Sequence, residues 1–106
     1  MWRYAVGNDQ GGHPTWWLYA ENNKMVAWAG ESFASLYNAK RAAESFKAGA
    51  LIARFDIFAD TAGKWRWRAW RGSDKVAASG ESFFSRPSAE TAADNVRRNA
   101  GGGQIP

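Results

Sequence analysis

Gly30-Glu31-Ser32-Phe33 is repeated as Gly80-Glu81-Ser82-Phe83, fifty residues further along the chain. The similarity continues downstream, where Ala42-Ala43-Glu44 matches Ala92-Ala93-Asp94 at the same offset. A repeat at this spacing is typical of a supersecondary unit that buries its apolar face against a neighbouring unit. The sequence therefore predicts a tandem duplication, which says more about architecture than about activity.

The length of the chain favours one shared core. Two units of about half the 106 residues would each be marginally stable alone. We therefore expect a single domain, 1–106, made of repeat 1–50 and repeat 51–106. The chain holds 7 Trp, 6 Phe and 3 Tyr. These aromatic side chains are expected to supply most of the core.

Each repeat shows three strand patterns followed by a helix pattern. Trp2, Tyr4 and Val6 alternate with other residues at period two, and Arg54–Ile57 repeats this pattern at an offset of 51. After the Gly-Glu-Ser-Phe motif the apolar period becomes helical, with Ser35 and Ser85 at the N-cap positions. The predicted fold is α+β, a duplicated β-β-β-α unit that forms one antiparallel sheet with two helices on one face and pseudo-two-fold symmetry.

The chain resembles the YegP-like tandem-repeat family, a domain of unknown function in bacteria and archaea, most clearly in its second repeat. The resemblance lies in Trp65-Arg66-Trp67-Arg68, Val76–Ser79, Gly80-Glu81-Ser82 and the helix end Val96–Ala100, and it covers nearly the whole chain. It implies three strands, a helix and a short exchanged strand per unit. The family has no established activity, so the resemblance implies no catalytic residues. Because the chain reads Gly101-Gly102-Gly103-Gln104-Ile105-Pro106 after the second helix, we expect the final strand to be weak or absent.

Little in the sequence indicates catalysis. The chain has no Cys, which excludes disulfides, Cys-based zinc sites and thiol catalysis, and His13 is the only histidine. Glu31 and Glu81 are matched carboxylates, but their position between a strand and a helix is typical of turn geometry and capping. We therefore expect a non-enzymatic protein without cofactor or metal.

Charge and hydropathy limit where the protein is expected to be located and which partners it is expected to bind. The formal net charge is +4, and the second repeat carries nine Lys/Arg against six Asp/Glu. We find no secretory signal pattern and no stretch long enough to span a membrane. The sequence predicts a cytoplasmic monomer that does not bind membranes, with a strand-swapped dimer as the alternative if a sheet edge is left exposed.

The aromatic-basic strand around residues 64–71 gives the candidate binding site. Successive side chains of a strand point to opposite faces, which places Trp67 under the helices and Arg66, Arg68 and Trp70 on the uncovered face. If Trp17 and Tyr19 are the buried pair of their own strand, Trp16 and Leu18 join that face. The full candidate site is Arg66, Arg68, Trp70, Trp16, Leu18, Arg3 and Arg54.

Two kinds of partner suit such a face. Trp, Tyr and Arg dominate the energetic hot spots of protein interfaces, and the net charge is modest for nucleic-acid binding, so a protein partner is favoured. Aromatic platforms among cations also bind single-stranded nucleic acid, and that alternative predicts strong salt dependence. A purely structural interpretation is that arginine stems and tryptophan rings cover one another.

Overall fold

The two halves of the chain repeat one order of elements, three strands followed by a helix. The computed structural model describes all 106 residues. In chain order the elements are β1 (Arg3–Asn8), β2 (Pro14–Tyr19), β3 (Met25–Trp28), α1 (Leu36–Gly49), β4 (Arg54–Ala59), β5 (Trp65–Arg71), β6 (Asp74–Ser79) and α2 (Arg86–Asn99). A short 3₁₀ turn follows each helix, at Ala50–Ile52 and Ala100–Gly102. The predicted α+β class is confirmed, while descent of the halves from one duplicated unit stays a prediction.

One antiparallel sheet runs through both halves. Its six strands lie in the order β1-β2-β3-β6-β5-β4. The halves meet at β3 and β6, where Ala27 pairs with Ser79 and Trp28 with Ala78. A pseudo-two-fold axis therefore passes between these central strands, and β1 and β4 form the outer edges.

Both helices begin as the sequence predicts. The Ser35 hydroxyl accepts a hydrogen bond from the Asn38 N–H at 3.0 Å, and Ser85 accepts one from Ser88 at 3.2 Å. These bonds satisfy N–H groups that have no partner within the first turn of a helix. The helices thus start at the same point after each Gly-Glu-Ser-Phe motif.

The core lies between the sheet and the two helices. Trp16 stacks on Phe46 of α1 with ring centroids 5.3 Å apart, and Trp67 is equally buried in the second half. Small residues of the central strands and helices, such as Ala27 and Ala43, complete one continuous cluster. Because this cluster includes residues of both helices, the helices share one face of the sheet.

Trp16 and Leu18 lie in this core, so the prediction that they belong to the uncovered face is wrong. Both are completely buried. In the register of β1 and β2, Leu18 pairs with Tyr4, and Trp16 pairs with Val6, so all four point towards the helices. The error arose because β2 carries large apolar side chains on both faces, so that apolar alternation alone could not tell one face from the other.

The segment after α2 pairs with the edge of the sheet at only one residue. Gln104 forms a single parallel bridge to Arg3. The Tyr4 N–H donates to the Gln104 carbonyl at 2.7 Å, and the Gln104 N–H donates to the Trp2 carbonyl at 3.0 Å. The final strand is therefore reduced to one bridge, in agreement with the expectation from the glycine run.

Candidate interaction surface

The sheet face opposite the helices, called the open face below, has no layer packed on it. Its side chains alternate along each strand with the buried ones. Its larger members are Arg3, Trp17, Tyr19, Met25 and Trp28 from the first half and Arg54, Asp56, Phe58, Arg66, Arg68, Trp70 and Lys75 from the second half.

The first half of the open face is aromatic. Trp17 on β2 is paired with Trp28 on β3 and, on its other side, with Ala5 on β1. A Cβ on Gly7 would lie 3.7 Å from the Trp17 ring, so this indole covers small residues of β1. Both tryptophans are partly exposed. They form an apolar strip beside the centre of the sheet.

The second half is built around Arg68. Its guanidinium carbon lies 3.9 Å from the centroid of the Phe58 ring and 5.8 Å from that of Trp70. An Nη atom lies 3.6 Å from an Asp56 carboxylate oxygen, while Nε is buried without an acceptor in the chain. Stacking and one long ion pair therefore hold this arginine against the sheet.

Arg66 is neutralised by a carboxylate at the rim of the open face. Its Nε lies 3.0 Å from Asp60 Oδ2. Asp60 Oδ1 also accepts hydrogen bonds from the backbone N–H groups of Ala62 and Lys64, each at 2.9 Å. The bond from Lys64 and then that from Arg66 lower the pKa of Asp60 below its ordinary value. Asp60 therefore joins the turn after β4 to the open face.

Two arginines of the open face carry uncompensated charge. The Arg3 guanidinium lies 4.4 Å from the centroid of the Tyr19 ring, and that of Arg54 lies 5.8 Å from Trp70. These matched positions repeat one cation–π pair in each half. Neither arginine is within ion-pair distance of a carboxylate, so both charges remain available.

The structure places most of the predicted site residues together. Arg3, Arg54, Arg66, Arg68 and Trp70 lie on the open face. Sequence reasoning missed the aromatic residues Trp17, Tyr19, Trp28 and Phe58. The repeat itself held the missing signal, because an offset of 51 aligns Trp16 with the buried Trp67 and Trp17 with the open-face Arg68.

The geometry of the remaining polar groups suits structural roles. The structure contains no group of three His, Cys, Asp or Glu side chains placed to hold a metal ion. Glu81 pairs with Lys24 at 3.0 Å, and Asp94 pairs with Arg97 and Arg98, contacts that lower the pKa of Asp94. The helices are too short or too polar to cross a bilayer. The arrangement is suited to contact across a surface.

Comparison with known proteins shows the fold. No family model and no curated protein matches this chain. A solution NMR structure of yegP from E. coli, a protein of unknown function, matches with a TM-score of 0.81 and 15% identity, covering 98% of this chain and 90% of that one. The UPF0339 protein SO3888 from Shewanella oneidensis, also solved by NMR, matches with a TM-score of 0.81 and 16% identity, covering 98% and 88% of the two chains.

These likenesses define the chain as an open-sheet α+β protein with the YegP-like fold. The resemblance seen in the sequence is thus confirmed for the architecture. At 15% and 16% identity the likeness concerns the fold alone. Fold does not determine function, so the open face has to be interpreted from its own residues.

Proposed function

We propose that this protein is a non-enzymatic interaction module that binds a protein partner through the open face. The observation that supports this most is the set of five aromatic side chains on a sheet face without a covering layer, namely Trp17, Tyr19, Phe58, Trp70 and Trp28. Burying an aromatic side chain of this size removes about 150–250 Å² from water. Several such rings side by side are typical of the centre of a protein interface.

The charge arrangement favours protein over nucleic acid. Arg66 and Arg68, the two cations in the middle of the second half, are engaged by Asp60 and Asp56. These carboxylates would repel a phosphate backbone, whose binding depends on uncompensated Lys and Arg. A protein partner does not require a continuous cationic track.

Single-stranded nucleic acid is the alternative. The stacked pairs Arg3–Tyr19 and Arg54–Trp70 combine a ring with an available cation. Bases stack on such rings for roughly 1–3 kcal/mol each. The net charge of +4 also supports this alternative.

A cytoplasmic location and a monomeric state stay predictions of the sequence.

The proposal is tested with a library of random peptides displayed on phage. Wild-type protein is compared with a Trp17→Ser/Trp28→Ser variant, and Phe84→Ser serves as the control because Phe84 is a 90% exposed aromatic in the loop before α2. We expect peptides that bind wild type and Phe84→Ser but lose binding to the double variant. Absence of any peptide that depends on Trp17 and Trp28 would contradict the proposal.

The alternative is tested with single-stranded DNA and RNA, following tryptophan fluorescence at low and physiological salt. Quenching that weakens steeply with salt and is lost in Arg66→Ala/Arg68→Ala would favour nucleic acid. We expect no quenching at physiological salt, because Asp56 and Asp60 already neutralise these arginines.

A further inference from the structure

We propose that the partner presents apolar side chains between two carboxylates, and that these carboxylates bind Arg3 and Arg54. This inference rests on the proposed function and specifies the chemistry of the partner. It follows from the positions of the available cations, the polarity of the surface between them and the net charge of the open face.

The two arginines lie at diagonally opposite corners of the open face. Arg3 is the first residue of β1 and Arg54 the first residue of β4, and these are the two outermost strands. Because every neighbouring pair in the sheet is antiparallel, β1 and β4 run in opposite directions. Six strands about 4.8 Å apart place the axes of β1 and β4 about 24 Å from each other, and the diagonal between the two corners is longer.

Both guanidinium groups are free to bind a carboxylate. Each lies near an aromatic ring, Tyr19 for Arg3 and Trp70 for Arg54, which restricts its motion. Both residues are exposed at the surface. A guanidinium has five N–H groups in a planar fork that matches a carboxylate, and ordering by the ring reduces the entropy lost on binding.

The surface between the corners requires apolar groups from the partner. Trp17 and Trp28 occupy the first half of this path, and Trp70 lies beside Arg54. Arg68 is held flat over Phe58 by stacking. A polar segment laid over these rings would lose hydration without gaining hydrogen bonds. Apolar side chains in the middle of the segment avoid this cost.

Charge balance favours carboxylates at the two ends of this segment. The open face and its rim hold five cations, namely Arg3, Arg54, Arg66, Arg68 and Lys75, against the two carboxylates Asp56 and Asp60. The excess is positive, and it lies on Arg3, Arg54 and Lys75, which have no ion-pair partner. Asp56 lies two residues from Arg54 on β4, so a phosphate chain at that corner would lie close to a carboxylate, whereas a protein segment can place its charges only at its ends.

The experiment uses three displayed peptide libraries of one length, about 20 residues, that share a central apolar pattern. They differ only in the flanking positions, which hold Asp and Glu, Asn and Gln, or Lys. We expect the acidic library to be enriched on the wild-type protein. The variant Arg3→Gln/Arg54→Gln should bind the selected peptides about tenfold more weakly. This fold-change corresponds to the loss of about 1.4 kcal/mol of charge-assisted hydrogen bonding.

Reversing the charge of Arg3 and Arg54 is the most direct test of their role in binding carboxylates. Arg3→Glu/Arg54→Glu should select the lysine library instead of the acidic one. Arg41→Glu on α1 is the matched control, because Arg41 also lies over a ring, Tyr37 at 5.8 Å, but away from the open face. This control should leave the selection unchanged.

The possible failures are distinguishable. If the amide or lysine library binds wild type as well as the acidic library does, and binding still requires Trp17 and Trp28, the acidic partner is wrong and the proposed function stands. If no library binds in a way that requires Trp17 and Trp28, both proposals are wrong. Selection of the acidic library without a change on charge reversal would also overturn the role of Arg3 and Arg54.

Discussion

The two halves of the sheet are alike on the side that faces the helices and unlike on the open face. Matched positions on the helix side carry similar apolar residues. On the open face the cation–π pairs Arg3–Tyr19 and Arg54–Trp70 are matched, but the positions between them differ in size and charge. On the helix side Tyr4 matches Phe55, Val6 matches Ile57 and Trp16 matches Trp67; on the open face Trp17 matches Arg68 and Trp28 matches Ala78.

The difference separates the residues required for folding from those that are not. A close-packed core limits both the volume and the shape of its side chains. Even an unfavourable detail is repeated, since the indole N–H groups of Trp16 and Trp67 are both buried without an acceptor. Packing sets no such limit on the open face, so its aromatic half and its arginine half reflect a different requirement, which we attribute to binding.

The largest expected effect compares adjacent tryptophans of β2. Trp16→Ala should lower the free energy of unfolding by about 3–5 kcal/mol, because it removes a fully buried ring that contacts Phe46 and leaves a cavity. Trp17→Ala should cost about 1 kcal/mol, because Trp17 is partly exposed and leaves no enclosed cavity. Chemical denaturation of both variants measures the difference.

Equal losses for the two variants would contradict the assignment of faces in β2. A larger loss for Trp17→Ala would support the opposite assignment, in which Trp17 is buried and Trp16 lies on the open face. Circular dichroism of both variants before denaturation provides the control for correct folding.

The fold could be predicted because it depends on local patterns that occur twice. The Gly-Glu-Ser-Phe motif marks the change from strand to helix period, and Ser35 and Ser85 then cap the helices. Each signal depends on residues close together in the chain. The repetition of the pattern also predicts one shared core, and the buried cluster contains residues of both halves.

The site could be predicted only where a strand alternates in polarity. In β5, basic residues alternate with Trp67 and Ala69, so Arg66 and Arg68 were assigned to the correct face. In β2, Trp16 and Trp17 are adjacent and equally apolar, so only pairing with β1 decides which is buried. Trp28 was missed because its face follows from its pairing with Trp17 of β2, a strand whose own faces the sequence does not distinguish.

Matched glycines offer the next comparison. An added Cβ at Gly80 would lie 2.7 Å from the Met25 carbonyl oxygen, so the backbone of the central strands would have to move. We expect Gly80→Ala to cost about 1–3 kcal/mol. Gly30, its counterpart, has φ +79, and Gly30→Ala should cost about 1–2 kcal/mol through backbone strain. Thermal denaturation should show a lower melting temperature than wild type for both variants, and an unchanged melting temperature in either one would contradict this account.

Tyr4→Phe makes the first half resemble the second, where Phe55 stands. The Tyr4 hydroxyl donates a buried hydrogen bond to the Ala100 carbonyl at 2.9 Å, so its loss should cost about 0.5–1.5 kcal/mol near neutral pH. Burial raises the pKa of Tyr4. Its contribution is therefore complete below the ordinary pKa near 10 and is lost as the pH rises through that value towards the folded pKa.

Alkaline unfolding tests this prediction. The stability of wild type should fall above about pH 10 more steeply than that of Tyr4→Phe, so the two curves should converge. Parallel curves would show that ionisation of Tyr4 is not linked to unfolding.

The smallest effect concerns Asp9 and Asp60, which close the first turn of each half. Each accepts two backbone hydrogen bonds, but only Asp60 also pairs with an arginine of the open face, Arg66. The pKa of Asp60 is lowered in the folded protein. Its contribution to stability is therefore present above the ordinary carboxyl pKa near 4 and is lost as the pH falls through the folded pKa. Asp60→Asn should be slightly less stable than wild type at pH 7, and their melting curves should converge at low pH.

The same pair of variants links stability to the two candidate partners. Asp60→Asn removes the charge that neutralises Arg66 and should increase binding of single-stranded DNA at low salt, whereas Asp9→Asn should not, because Asp9 pairs only with His13. Such a gain would show that paired carboxylates, rather than a lack of arginine, disfavour nucleic acid on the open face. If DNA binding remains absent in Asp60→Asn, charge is not the only obstacle to phosphate binding. The stacking of Arg68 on Phe58 and Trp70 would then also disfavour phosphate on this half of the open face.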